Sequence, residues 1–262
     1  PAIRDRAGNP LLLTMMALLN RNQDLPRARV ELYREASRVL LQEWETRKAI
    51  PVETFGRQEK ESLLRRLAGE MQQGDSGLAG NLISRGRLTA LIQEYLKELG
   101  VSDVYARAKE LVRPLEERNF ILCYGGADSF SFVHRTFLEF FCAAWFVDQI
   151  QVQQTLSIGS LKTDVFGRHW RDESWHEVLR LITGMLGASH SRDLIRFLME
   201  QDGSEDELRN LLLAGGCLSE VRNRVALSET DAALKKRFLT EVVRYDWPYV
   251  YPESAKWEFV GG

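Results

Sequence analysis

Apolar residues along this chain recur mostly at intervals of three and four, the period at which one face of a helix meets a core. Val30, Tyr33, Ala36, Val39, Leu40 and Trp44 share such a face, and Leu63, Leu64, Leu67 and Met71 share another between about 58 and 73, ended by the Gly74-Asp75-Ser76-Gly77 turn. Ser84 is placed as the N-cap of a helix carrying Leu88, Leu91, Ile92, Tyr95 and Leu96, and a further helix is predicted over 104–117. The period then changes. Phe120-Ile121-Leu122-Cys123-Tyr124 and Ser129-Phe130-Ser131-Phe132 alternate like half-buried strands around Gly125-Gly126-Ala127-Asp128, which predicts a hairpin. Beyond residue 144 helical spacing returns: Trp170, Trp175, Val178, Leu179, Leu181, Ile182 and Leu186 form one amphipathic unit. Leu194–Met199, Leu208–Leu218 and Leu234–Val243 form three more.

The sharpest change of period lies in Phe132-Val133-His134-Arg135-Thr136-Phe137-Leu138-Glu139-Phe140-Phe141-Cys142-Ala143-Ala144. Alternation gives way to apolar positions at Phe137, Phe140, Phe141 and Ala144, so His134 is predicted at or just before a helix N-terminus. Free N–H groups and partial positive charge there suit a phosphate. A histidine among aromatics also serves as a hydrogen-bonded packing residue, and pattern alone leaves both roles open. Glu139 has two readings as well: it orients neighbouring helices or, more simply, is a first-turn acid favoured by the helix dipole. Near the start, Gly8-Asn9-Pro10-Leu11-Leu12-Leu13-Thr14-Met15-Met16-Ala17-Leu18 sets a favoured N-cap, Asn9, before a proline at the first helical position. Leu12, Met15 and Leu19 then begin an apolar face.

These two segments resemble signatures of NACHT-type signalling NTPases, the class that includes the NOD-like receptors and their bacterial relatives. The first resembles the winged-helix signature F-x-H-x-[ST]-F-x-E-[FY]-x-A-A. The second resembles the N-P-L-L-L opening of the small helical domain that follows the NTPase core. The likeness extends over about the first 190 residues, with its specificity in the two motifs. It implies that Pro10 packs near an adenine ring and that His134 reaches the phosphate of ADP. It further implies a switch of cytoplasmic, defence-type signalling: the winged helix closes over ADP, and its release accompanies exchange for ATP and self-oligomerisation. An upstream NTPase core of the same chain, an effector or sensor domain of unspecified kind, and magnesium held outside these residues complete that expectation.

The chain itself holds no G-x-x-x-x-G-K-[ST] loop, no strand ending in paired acids and no G-x-G-x-x-G, so it is not expected to hydrolyse ATP unaided. No nucleophile–base set and no metal-ligand spacing stands out, and no catalytic residue is assigned. Beginning at Pro1, the sequence reads as a fragment whose parent is an ATPase. Lys and Arg number 35 against 37 Asp and Glu, a balance that asks for neither nucleic acid nor an anionic membrane. A winged helix invites a DNA-binding reading, yet Arg107, Lys109, Arg113 and Arg118 are interleaved with Glu110, Glu116 and Glu117, and the wing turn carries Asp128 without a base. No apolar run reaches the ~20 residues of a membrane span. Three scattered cysteines, Cys123, Cys142 and Cys217, form no C-x-x-C pair; the first two, set among aromatics, are expected to be buried thiols. His169, Asp172, Glu173 and His176 lack a standard ligand spacing and are read as exposed helical polar residues.

The expected fold is mainly α: a small helical domain over 1–50, bounded by the Ala49-Ile50-Pro51 break, a winged-helix domain with a small β-hairpin over 51–144, and a second helical domain over 145–262. Small residues at Ala214-Gly215-Gly216-Cys217-Leu218 resemble HEAT-like packing, but no strict period exists, so a HEAT-like array and a compact helical domain stay equally open. The aromatic, proline-broken end, Tyr245 to Phe259, is expected to be extended, docking back on the helices or contacting a partner. A helical scaffold or adaptor without a nucleotide role is the competing functional reading.

Overall fold

The computed structural model describes residues 28–47, 56–74, 81–116 and 121–244. Asn9, Pro10 and the helix expected after them, together with the aromatic C-terminal segment, lie outside the described residues. What is described is mainly helical with one small antiparallel sheet, and its buried apolar side chains form one continuous core.

Helix α1, Arg29–Arg47, buries Val30, Tyr33 and Ala36 as its spacing requires, with Leu40 half-buried. Leu32 and Leu41 are buried as well, because α1 is flanked by more than one element rather than resting on a single face. Helix α2, Arg57–Gln73, turns Leu63, Leu64, Leu67 and Met71 inward. Gly69 on α2 sits against the indole of Trp145: a Cβ there would lie 2.7 Å from its Cδ2, so the glycine sets how closely the two helices approach.

Strand β1, Ile83–Ser84, leads into α3, Arg85–Glu98. Ser84 is its N-cap, Oγ accepting from the Arg87 N–H at 3.3 Å. The far end closes on Gly100, whose φ of 70° lets the Val101 N–H return to Leu96 O at 3.0 Å. Helix α4, Val104–Glu116, precedes strands β2, Leu122–Gly126, and β3, Ser129–Phe132. Sheet order is β1-β3-β2, all antiparallel, with Ile83 opposite Phe130 and Leu122 opposite Phe132. Helix–strand–helix–helix–strand–strand with this sheet is the element order of a winged helix. The hairpin turn is tighter than its four-residue expectation: Ala127 and Asp128 alone turn the chain, both at positive φ, while Gly125 and Gly126 finish β2 through a bulge.

Helix α5, Arg135–Gln151, buries Phe137, Leu138, Phe140, Phe141, Cys142, Ala143 and Phe146. It packs against α2 and against α8, Glu173–Met185. The expected division at residue 144 therefore falls inside a continuous helix. Between α5 and α8 run α6, Ile158–Ser160, a π-helical turn, Leu161–Phe166, and α7, Gly167–His169. Helices α9, Ala188–Glu200, α10, Arg209–Glu220, and α11, Ser228–Arg244, complete the chain's described part. Helix α10 packs against both α8 and α9, and α11 packs on α9 and α10. Ser191 and Thr183, both buried, satisfy their hydroxyls on backbone carbonyls. Among the described residues no helix is long and apolar enough to cross a membrane.

Candidate functional site

Strand β3 alternates inward at Phe130 and Phe132 and ends there, and the two residues that lead from it into the next helix emerge at the surface. Val133 and His134 are both exposed. His134 is the N-cap of α5, in extended geometry at φ −134° and ψ 134°, and its ring makes no capping hydrogen bond. Its carbonyl accepts from Phe137 N at 3.0 Å, which starts the helix. That bond takes the Phe137 N–H, and the rest of the helix start lies next to an imidazole that does not cap it, a setting suited to an anion.

The backbone beneath that ring is held from two sides. Asn81 imitates a strand residue: its Nδ2 donates to Phe132 O at 3.0 Å and its Oδ1 accepts from Phe132 N at 3.1 Å. The Val133 N–H donates to Ile121 O at 2.8 Å. Asn81 carried no sequence signal, since one asparagine after a glycine reads as a turn residue.

Glu139 overturns the simpler of its two readings. It lies one turn inside α5, which has no acid in its first turn, and its side chain is only 13% exposed. Arg135 folds back, Nε donating to Glu139 Oε1 at 2.9 Å and Nη2 to Ser174 O at 3.1 Å. Burial dominates the carboxyl, and with Glu177 raises its pKa to about 7 against the opposing pull of Arg135 and Arg29. Glu139 is thus paired within its own helix, and through Arg135, which also reaches Ser174 O, it is tied to α8.

Beside it is a second group of charges. Arg29 donates from Nη1 to Glu220 Oε1 at 2.8 Å and from Nη2 to Glu177 Oε1. Arg180 reaches Glu220 at 3.2 Å and Glu177 at 3.7 Å. Burial works to lower the Arg29 pKa, but Glu177, Tyr33 and Glu220 hold it above its ordinary value. The Tyr33 hydroxyl is raised by burial despite Arg29 beside it. Only the Glu177–Arg180 spacing hinted at this arrangement; Arg29 and Glu220 are 191 residues apart.

Two of the other histidines, His169 and His176, have structural duties. His169 stacks on Trp175 with centroids 3.8 Å apart and planes 9° from parallel, and burial lowers its pKa. His176 Nε2 contacts Trp170 O at 2.8 Å. Both are half-buried rather than exposed as expected, because Trp170 and Trp175 draw them onto the core. No group of three metal-ligating side chains occurs among the described residues. A polar cleft of about 400 Å³ lies next to His169, lined in part by Gln72, Phe146, Asp164 and Asp172; His134 is not among its walls. Cys142 and Cys217 are fully buried and Cys123 only half-buried, so the buried pair is not the one expected. Cys123 instead faces its cross-strand neighbour, Sγ 3.2 Å from Ser131 Oγ. On α4, Arg107 pairs with Glu110 at 2.9 Å, and on α3 Arg85 pairs with Asp128 of the hairpin turn.

No protein-family model, no curated protein and no solved structure matches this chain.

Proposed function

We propose that this chain is the regulatory part of a NACHT-type signal-transducing ATPase, acting in the cytoplasm, with His134 as its contact to the terminal phosphate of ADP. One observation carries the reading: an exposed histidine with a free ring stands at the uncapped start of a long helix, on a backbone pinned by Asn81 and Ile121. A phosphate at this helix start would gain the partial positive charge of the first turn together with a hydrogen bond from the imidazole. The resemblance supplies the nucleotide; Pro10 would meet its adenine, while magnesium and the hydrolytic groups belong to an upstream core.

The chain's own contribution is then discrimination. Contacts made to ADP in the closed state and lost when the winged helix moves give the two states different nucleotide affinities, which any population shift requires. Release would accompany exchange for ATP and self-association, in defence signalling or a related output. The paired charges of α4 and the wing favour a protein or nucleotide partner over nucleic acid.

The test uses the full-length parent, purified, denatured and analysed for released nucleotide, alongside His134→Ala. Stoichiometric ADP in the wild type, with loss of ADP and spontaneous self-association in the variant, is expected. Absence of nucleotide from both proteins overturns the proposal in favour of a helical scaffold.

A further inference from the structure

Four side chains where α1 meets the helices of the C-terminal half close into a ring of alternating charge. Arg29 touches Glu177, Glu177 touches Arg180, Arg180 touches Glu220, and Glu220 returns to Arg29. Three helices contribute, α1, α8 and α10, and every member of the ring has two partners of opposite sign. Glu220 is the innermost, its side chain 5% exposed. Beneath the ring the backbone has been cleared to let α1 in: a Cβ on Gly184 would lie 3.0 Å from Glu220 Cβ and 3.2 Å from Val30 Cγ2. A second pair, Arg222 with Glu31, fastens the same end of α1 from outside.

Apolar side chains of similar size would hold α1 at least as firmly, since removing charges from water offsets most of what their pairing returns. A ring differs in how it fails. Each member leans on two partners, so the loss of one halves the compensation of both its neighbours, and Arg29 is the only member that ties α1 to the other three. We infer that Arg29, Glu177, Arg180 and Glu220 form a releasable interlock that sets whether α1 is docked on α8 and α10, giving this junction two discrete states. The inference stands apart from the nucleotide reading, because neither His134 nor any nucleotide takes part in it.

Hydrogen–deuterium exchange of the complete chain tests it, read at the α1 amides 33–41 with those of α9 as internal reference. Arg29→Met and Glu220→Gln should each speed exchange in α1 by about tenfold or more while α9 stays within about threefold of wild type. The double variant should exchange no more than about threefold faster than either single one, since the ring is already open. Arg29→Lys keeps the charge and loses the fork that spans two carboxylates, and should fall between wild type and Arg29→Met. Unchanged α1 exchange in Arg29→Met and Arg29→Lys, multiplying effects in the double variant, or acceleration spread evenly over α1 and α9 would each overturn the interlock.

Discussion

Glu139→Gln isolates the cost of holding a carboxyl in the interior. The group titrates at about 7 in the folded chain against an ordinary 4.5, so the folded state binds its proton more tightly than the unfolded state does. Stability from this group is therefore fully present below about pH 4.5, declines as pH rises, and is gone above about pH 7. At about 1.4 kcal/mol per tenfold difference in proton affinity, the loss amounts to about 3 kcal/mol. The side chain is mostly shielded, so solvent screening takes little from that figure. Glutamine has the same shape and no titration. Urea unfolding followed by tryptophan fluorescence, run on both proteins from pH 4 to pH 8.5, should show the variant gaining on wild type by about 3 kcal/mol across the range. With a slope of about 3 kcal/mol per molar urea, that is a relative midpoint shift of about 1 M. Parallel curves would mean that the carboxyl titrates normally. A wild type that gains on the variant as pH rises would mean that Arg135 outweighs burial; either result refutes the reasoning.

Three further substitutions probe local geometry through stability. Gly69→Ala should cost about 1–3 kcal/mol in urea unfolding although alanine is the better helix former, because its methyl would press on the indole of Trp145. Asn81→Ala removes both hydrogen bonds to Phe132 and should lower stability by about 1–3 kcal/mol, with faster amide exchange at residues 132–137. Ala127→Gly should raise stability by up to about 1 kcal/mol, since Ala127 sits at φ 45° in the hairpin turn; a lower midpoint for this variant would contradict the two-residue turn.

Helices were legible where a single face decides burial. Trp175, Val178, Leu179 and Ile182 fall inward on α8 as spaced, and the switch from alternation at Phe130 and Phe132 to helical spacing at Phe137 placed His134 at a helix start. Burial beyond a single face was not legible: Leu32 and Leu41 lie outside the expected stripe of α1 and are inward because that helix has neighbours on several sides. Charges were the hardest to read. A surface Glu and a ring-forming Glu are the same letter, and the pairing of Arg29 with Glu220 exists only once the chain has brought α1 beside α10. The histidines of the 169–176 stretch were misread as solvated for the same reason, since the partners that cover them are set by tertiary packing.

Helix α5 runs without interruption from His134 through 17 residues, about 25 Å at 1.5 Å per residue. Its first turn grows out of the wing and its remaining turns are clamped between α2 and α8. Such a rod behaves as a drive shaft: rotation imposed at one end arrives at the other nearly undiminished. Bending between the hairpin and the helices behind it would have to break packing along α5, so a pivot is better sought beyond the ends of that helix.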